Sequence, residues 1–467
     1  MRNSYNGMVK YAVGLVSVII VLCIYYSTNT LWHNQYDDSL ITYRYSINLA
    51  EHGQLVFNLG ERVDAASSFL YTVVLAGIYK VGVHNLEIVS FVINMLAIAL
   101  ISMFVYLSVC VITKNKLYAV MLALIASCHG FIAGWSALGM DTVLFAALIV
   151  MWTYFTLVKH NDLWSTILTI CVVLMRMEGM IVLPVWYYIH AYKDQYKSQL
   201  KYTIPVFISF VSFYLFKFIY YGSALPNSLN AKHSLPYYQS DVNSILSIWI
   251  TFGGVALVLF IVSMVTRYKL QGAKLLGIYV LLSIISCMLA PRSDWVRYTI
   301  HLYPLMIIGL SLLFIKLYKP SIIIILLLLT FQCWSSNIWM YHNCKVIAPA
   351  QEMRGKVGEW LNNNAVNGSW VVSGDLGEIS YKAINCNFID MIGLVSKDIL
   401  ECNNDKNKID KILNNKSPLY VADTVDVVND ELVYNRIKSD WMDTHNIKVM
   451  EGYKYTDKLA IIVGEVR

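Results

Sequence analysis

The sequence has 467 residues, of which 57% are hydrophobic and 14% charged. Because soluble globular proteins carry about 25% charged residues, this composition excludes an ordinary soluble protein and indicates a chain that lies mostly in lipid. The formal net charge of +6 is small for this length, and the lysines and arginines are spread over short loops, which argues against nucleic acid as a partner.

Apolar segments recur from residue 11 to residue 340. A helix needs roughly 20 apolar residues to cross a hydrocarbon core about 30 Å thick, which predicts a polytopic α-helical membrane domain with about eleven crossings. The first segment lacks a small-residue cleavage site and is predicted to be a retained span. The stretch 67–83 is predicted either as a further crossing or as an interfacial or re-entrant helix. The predicted spans are 11–31, 86–112, 117–134, 140–158, 163–177, 180–192, 202–221, 243–265, 275–290, 301–318 and 320–340.

Every second loop between these spans is basic, which predicts the membrane topology. Short cytoplasmic loops are enriched in Lys and Arg, so Arg2 and Lys10 place the N-terminus on the cytoplasmic side of a bacterial inner membrane. Eleven crossings then place the residues after 341 outside the cytoplasm.

The composition changes near Asn343, where polar residues become frequent and short alternating apolar patterns follow a predicted helix over 350–363. We therefore predict a membrane domain over 1–341, with a first exterior loop over 32–67, and an extracytoplasmic small α/β domain over 342–467. Predicted strands begin at Trp370, Leu419 and Leu459. The cysteines of this domain, which allow one disulfide, are Cys344, Cys386 and Cys402.

Polar residues that are unusual near a bilayer fall together at the outer face of this topology. A charged side chain at membrane depth costs several kcal/mol unless it is paired or faces a polar cavity, so such residues are functional candidates. Ordinary interfacial solvation explains any one of them, but explains the whole set on one side less well. The set comprises Asp37, Asp38, Glu61, Asp141, Arg176, Glu178, Asn227, Asp294 and Arg297.

The first exterior loop opens with two adjacent aspartates, Asp37 and Asp38, at the start of a predicted helix. Such a pair can act as a general base, bind a divalent cation, or cap the helix. Arg44, near the same end of the helix, can hold an aspartate ionised or bind a phosphate.

The motifs of the chain resemble those of bacterial GT-C glycosyltransferases, most closely the branch that contains the terminal arabinofuranosyltransferase of mycobacterial cell walls. The departures are Leu59, Asp141 and Met177, which stand where the pattern usually has Pro, Glu and Pro. The motifs are Asp37-Asp38 with Arg44, His52-Gly53 with Phe57-Asn58 and Gly60-Glu61-Arg62, Gly139-Met140-Asp141-Thr142, Arg176-Met177-Glu178-Gly179, Leu225-Pro226-Asn227 with Ala231-Lys232, Asp294-Trp295 with Arg297-Tyr298, Gly374-Asp375-Leu376-Gly377, and Ile389-Asp390 with Gly393-Leu394.

The resemblance implies a transferase that takes a pentofuranose or hexose from a polyprenyl-phosphate donor, with an aspartate of the first exterior loop as the catalytic base. We choose Asp38 slightly over Asp37, because adjacent residues at a helix start point about 100° apart and cannot reach one hydroxyl in the same way. The predicted donor-phosphate ligands are Arg176, Arg297 and Arg44. The predicted supporting residues are Glu61, Asp141, Glu178, Asn227, Lys232 and Asp294. An interfacial ion pair is the other interpretation of Asp294 with Arg297.

The predicted partners are the polyprenyl-phosphate sugar, an envelope glycan, lipid or protein acceptor, and membrane lipid. A divalent cation at the acidic pair is left open as a cofactor. Two other classes of protein also remain open: a transporter or flippase of polyprenyl-linked glycans, although paired inverted repeats are not visible, and a non-catalytic envelope assembly protein. An assembly protein would still function with Asp38→Ala, whereas a transferase would fold and lose activity.

Overall fold

The computed structural model describes residues 35–66, 68–191, 196–234, 242–267, 269–289, 295–428, 431–433, 441–456 and 458–466. These residues form two compact units. The described part of the first unit comprises 90–214 and 242–343, and that of the second unit comprises 35–89, 215–234 and 344–466. The predicted first span, 11–31, and Asp294 lie outside the described residues.

The described α-helices are α1 (Asp37–His52), α2 (Phe69–Lys80), α3 (Leu86–Thr113), α4 (Lys116–Ser127), α5 (Gly130–Ala137), α6 (Thr142–Thr153), α7 (Asp162–Met175), α8 (Val182–Ala191), α9 (Tyr196–Tyr221), α10 (Asn227–Ser234), α11 (Val242–Arg267), α12 (Gln271–Leu289), α13 (Trp295–Thr299), α14 (Leu302–Leu310), α15 (Lys319–Asn364), α16 (Gly377–Lys382), α17 (Lys397–Glu401), α18 (Lys406–Lys416) and α19 (Trp441–Thr444). A π-helical turn, Tyr154–Val158, extends α6, and 3-10 turns cover Met177–Ile181 and Ser311–Ile315.

Helices occupy the predicted spans that the structure describes. Within this part of the chain, three helices are long and apolar enough to cross a membrane: Leu86–Thr113, Gln199–Tyr221 and Lys319–Asn364. Shorter apolar helices, such as Thr142–Val158 and Asp162–Met175, occupy other predicted spans. The positions of these helices are therefore confirmed. The number of membrane crossings, eleven, stays a prediction.

The predicted span 117–134 is a broken helix, since α4 and α5 meet at an angle of 50°. His129 is the N-cap residue of α5, and the N–H of Gly130 donates to Ser336 Oγ on α15 at 2.9 Å. A Cβ at residue 130 would overlap the main chain of Ser336, so this close approach requires glycine.

The stretch 67–83 contains α2, which has 12 residues. At 1.5 Å per residue such a helix is about 18 Å long, shorter than a hydrocarbon core of about 30 Å. This length argues against a crossing by α2 alone.

A six-stranded mixed sheet forms the centre of the second unit. The strands lie in the order β2-β1-β3-β6-β5, and β4 pairs with β3. β1 is parallel to β2 and β3, whereas the other pairs are antiparallel. This sheet confirms the α/β character predicted for the tail. The strands are β1 (Trp370–Ser373), β2 (Asn387–Asp390), β3 (Tyr420–Val428), β4 (Glu431–Val433), β5 (Ile447–Thr456) and β6 (Leu459–Val466).

The two faces of the sheet carry two different cores, because successive side chains of a strand point to opposite sides. Val371 lies in a core with Ile41 of α1 and Phe57 of the first exterior loop. Val372, the next residue, lies in a core with Ile409 and Leu413 of α18. The predicted boundary at residue 342 placed loop 32–67 with the membrane domain. In the structure, the described part of this loop, 35–66, shares a core with the tail.

Candidate functional site

Asn58 joins the first exterior loop to the edge of the sheet. Its Nδ2 donates to the carbonyl of Phe388 on β2 at 2.8 Å, and its Oδ1 accepts the N–H of the same residue at 3.0 Å. The side-chain amide thus forms the pair of hydrogen bonds that a neighbouring strand would form. Asn58 satisfies the main chain of an edge strand and helps to keep it from pairing with another chain.

Arg44 also joins the loop to the tail. The residue is 2% exposed, and its guanidinium lies 4.7 and 5.1 Å from the ring centroids of Phe57 and Phe388. Burial lowers the pKa of Arg44 to about 9, so the group stays charged at neutral pH. The N–H groups of this guanidinium donate hydrogen bonds to main-chain carbonyls. Binding of the sugar donor's phosphate is therefore proposed for other arginines. The carbonyls that accept from the guanidinium, at 2.5 to 3.3 Å, belong to Phe57, Ser380, Ala383 and Cys386.

We expect Arg44→Met to lower the unfolding free energy by about 3 kcal/mol or more, because each buried carbonyl left without a donor costs about 1–3 kcal/mol. The measurement is thermal unfolding of the full chain in detergent, where the midpoint should fall by roughly 3 °C or more, because the shift per kcal/mol becomes smaller as the chain becomes longer. Arg62→Met is the matched control, since Arg62 is an exposed arginine of the same loop whose guanidinium lies 4.7 Å from the Tyr220 ring centroid. Equal shifts for the two variants would contradict the role given to Arg44.

Two of the predicted supporting residues likewise connect segments of the second unit. Glu61 pairs with Lys416 of α18 at 2.8 Å. Asn227 Nδ2 donates to the carbonyls of Gly393 and Leu394 at 2.7 and 2.8 Å. Lys232 lies on α10, and its side chain is outside the described part of the structure.

The acidic pair forms the first turn of α1, as the sequence predicts. Asp37 Oδ2 accepts the N–H of Gly377 at 2.9 Å, and Oδ1 accepts the N–H of Glu378 at 3.0 Å. Asp37 therefore caps α16 of the tail rather than its own helix. Burial raises the pKa of Asp37, and the charge of Asp375 adds to that rise, while Arg354 and the two N–H groups oppose it. Asp38, which like Asp37 is half-buried in the first turn of α1, stays a prediction as the base.

Glu378 lies beside this pair, and sequence reasoning missed it. Burial raises the pKa of Glu378 to about 7; Lys382, 3.8 Å away, opposes the rise, whereas Glu87 and Asp37 add to it. An isolated glutamate in a short helix gives no local signal, since its pKa depends on residues far away in the sequence.

Arg176, Asp141 and Glu178 come together in the first unit. Arg176 ends α7 in an extended conformation, and its Nη1 lies 3.0 Å from both carboxylate oxygens of Asp141. Its Nε lies 3.4 Å from Glu178. A Cβ at residue 179 would overlap the carbonyl of Val172, so Gly179 permits the tight turn that follows Arg176. The structure thus brings together three of the predicted residues.

Tyr298 lies against two guanidinium groups of the same unit. Its ring centroid is 5.1 Å from Arg176 and 4.9 Å from Arg297, and its hydroxyl accepts from Arg297 Nη2 at 2.9 Å. Arg297 is 2% exposed. His301, which sequence reasoning also missed, is a residue of the same unit and is 2% exposed. Two guanidinium groups thus share one aromatic ring, and the carboxylates of Asp141 and Glu178 lie beside one of them.

The described residues include no group of three or more His, Cys, Asp or Glu side chains arranged to hold a metal ion. The three tail cysteines are free thiols, so the disulfide that the sequence allowed is not formed. Cys386 and Cys402 lie in the cores on opposite faces of the sheet, which explains why they do not pair.

The comparisons with known proteins agree with this architecture. Residues 342–461 match a protein family described as a domain of unknown function, DUF8728. No curated protein sequence matches the chain. Among solved structures, the chain is similar to ArnT from Cupriavidus metallidurans bound to undecaprenyl phosphate, with 10% sequence identity, a TM-score of 0.58 and 98% of each chain covered. It is also similar to the apo state of the same ArnT, with 9% identity, a TM-score of 0.58, and 99% of this chain and 98% of that chain covered. At this identity the likeness shows the fold alone: the chain has the fold seen in the two ArnT structures over nearly its whole length.

Proposed function

We propose that this chain is a membrane glycosyltransferase that moves a sugar from a polyprenyl-phosphate donor to an envelope glycan, lipid or protein. The observation that carries the proposal is the fold shared with ArnT over 98% of the chain. One of the two ArnT structures has undecaprenyl phosphate bound. The acidic pair that opens α1 supplies the carboxylate that such a reaction needs. The motif resemblance to the arabinofuranosyltransferase branch leaves the sugar as a pentofuranose or a hexose.

The proposed reaction is a single displacement with inversion at the sugar. The acceptor hydroxyl oxygen forms a bond to the anomeric carbon while the bond from that carbon to the donor phosphate oxygen breaks. The proton of the hydroxyl passes to Asp38, and the bonding electrons leave with the polyprenyl phosphate. No oxidant or reductant is needed.

The arginines of the first unit are proposed to bind the donor phosphate. A planar guanidinium binds phosphate through two hydrogen bonds, and developing charge on a departing phosphate is stabilised by preorganised cations. Arg176 is the first choice because Asp141 and Glu178 fix its guanidinium. Arg297, on the same tyrosine ring, is the second.

The test is incubation of the purified full chain with a panel of undecaprenyl- and decaprenyl-phosphate sugars, with release of the carrier phosphate as the readout. At least one donor should lose its sugar in the presence of an envelope extract. Transport of an intact donor across a vesicle membrane without cleavage would overturn the proposal in favour of a flippase. Absence of both activities over the whole panel would favour the assembly protein.

The proposed topology places the N-terminus in the cytoplasm and the tail outside, as the basic loops predict. A C-terminal alkaline phosphatase fusion should be active, and a C-terminal green fluorescent protein fusion should be dark. The opposite result would rule out an active site on the outer face.

A further inference from the structure

The segment that carries the acidic pair is held by the tail at two points. Gln351 of α15 donates from Nε2 to the carbonyl of Gln35 at 2.6 Å. Two residues later, the carboxylate of Asp37 accepts the N–H groups of Gly377 and Glu378. Asp38 follows directly after these two anchors, so its position depends on groups more than 300 residues away in the sequence.

The helix that binds Asp37 requires a glycine at its first residue. A Cβ at residue 377 would overlap both the main-chain oxygen and the carboxyl group of Asp37. Any larger residue must push α1 away from α16 or break the two hydrogen bonds. Gly377, which the sequence marks only as the last residue of the motif Gly374-Asp375-Leu376-Gly377, thus permits the contact.

The sheet fixes these anchors through a buried chain of polar contacts. The Thr424 hydroxyl on β3 donates to Asp375, whose N–H donates to Ser373 Oγ at the end of β1 at 3.1 Å. Asp375 pairs with Arg354 of α15 at 3.2 Å. Arg354 Nη1 in turn donates to Gln351 Oε1 at 2.7 Å, which orients the amide that holds Gln35.

We infer that Gly377 and Gln351 are positioning residues, through which the tail sets the place of Asp38 for proton transfer. This inference rests on the proposed function and gives the tail a definite part in it. The tail holds the base-bearing segment by contacts with Gln35 and Asp37, so loss of either contact should slow the chemical step more than it weakens donor binding.

The first test is turnover of Gly377→Ala and Gln351→Met, a change that keeps the length of the side chain and removes the amide donor. We expect kcat to fall about 10-fold to 100-fold with KM for the donor changed by less than about 3-fold, because a displacement of about 1 Å can cost a hundredfold in rate. Gly77→Ala is the matched control, since a Cβ at this helical glycine of the same unit meets nothing within 4 Å.

A double-mutant cycle separates positioning from a general loss of structure. If Gly377 acts through Asp38, Gly377→Ala should reduce the residual turnover of Asp38→Asn by less than about 2-fold. Multiplicative losses in the double variant would overturn the inference, and so would a wild-type kcat in both single variants.

Hydrogen exchange of peptides covering 35–44 gives a readout that does not need activity. Exchange should be faster in Gly377→Ala and in Gln351→Met than in the wild type and in Gly77→Ala, because the segment loses an anchor. Unchanged exchange would contradict the inference even if the chain proves to be a transferase. Faster exchange in a chain that cleaves no donor would instead keep the anchoring and reject the proposed function.

Discussion

Asp38→Asn should lower turnover by about a hundredfold to ten-thousandfold while leaving folding and donor affinity close to those of the wild type. A general base typically contributes that range of rate, and an amide cannot accept the acceptor's proton. Asp38 is the proposed base, and the carboxylate of its neighbour Asp37 accepts two N–H groups of α16. The measurement is kcat of the purified variant on the donor found in the panel, together with donor affinity and the unfolding midpoint.

Asp37→Asn is the matched comparison and should lose less activity. Its remaining amide oxygen can keep one of the two bonds to α16, so part of the anchor survives. A larger loss at Asp37 would reverse the assignment within the pair. Wild-type turnover in both variants would remove the pair from catalysis.

Arg176→Ala should lower kcat/KM for the donor by about 10-fold to 150-fold, which corresponds to the roughly 1.5–3 kcal/mol of a hydrogen bond to a charged group. Arg176→Lys should fall between the alanine variant and the wild type, since an ammonium keeps the charge but not the planar pair of donors. The measurement is kcat and KM for the donor in each variant.

Folding must be controlled for, because Arg176 lies against two carboxylates and its side chain is 4% exposed. Removing one partner of a buried pair typically destabilises by about 3–5 kcal/mol, so the unfolding midpoint of each variant is needed. Asp141→Asn is the matched control, because it perturbs the same pair but keeps the guanidinium. Its kcat/KM for the donor should fall less than that of Arg176→Ala. Equal activity of the wild type and both Arg176 variants would move the phosphate role to Arg297.

Local patterns in the sequence determined much of the fold. The lengths of the apolar runs predicted where helices occur, such as Leu86–Thr113, and alternating patterns predicted strands such as Leu459–Val466. Asp37 and Asp38 were placed at a helix start because acidic residues favour the positive end of the helix dipole. These features depend on a few neighbouring residues, which a single sequence displays.

The contacts and structural roles of the motif residues were decided by tertiary structure alone. Arg44 was predicted to hold an aspartate or a phosphate and Asn58 was one residue of a loop motif, yet each donates to a main-chain carbonyl more than 300 positions further along the chain. Gly377 is one glycine of a motif in the sequence, and only the approach of Asp37 shows why no side chain fits there. Hydrogen bonding, close packing and burial depend on which groups are in contact in the folded structure. A sequence pattern gives the residue types but not those contacts.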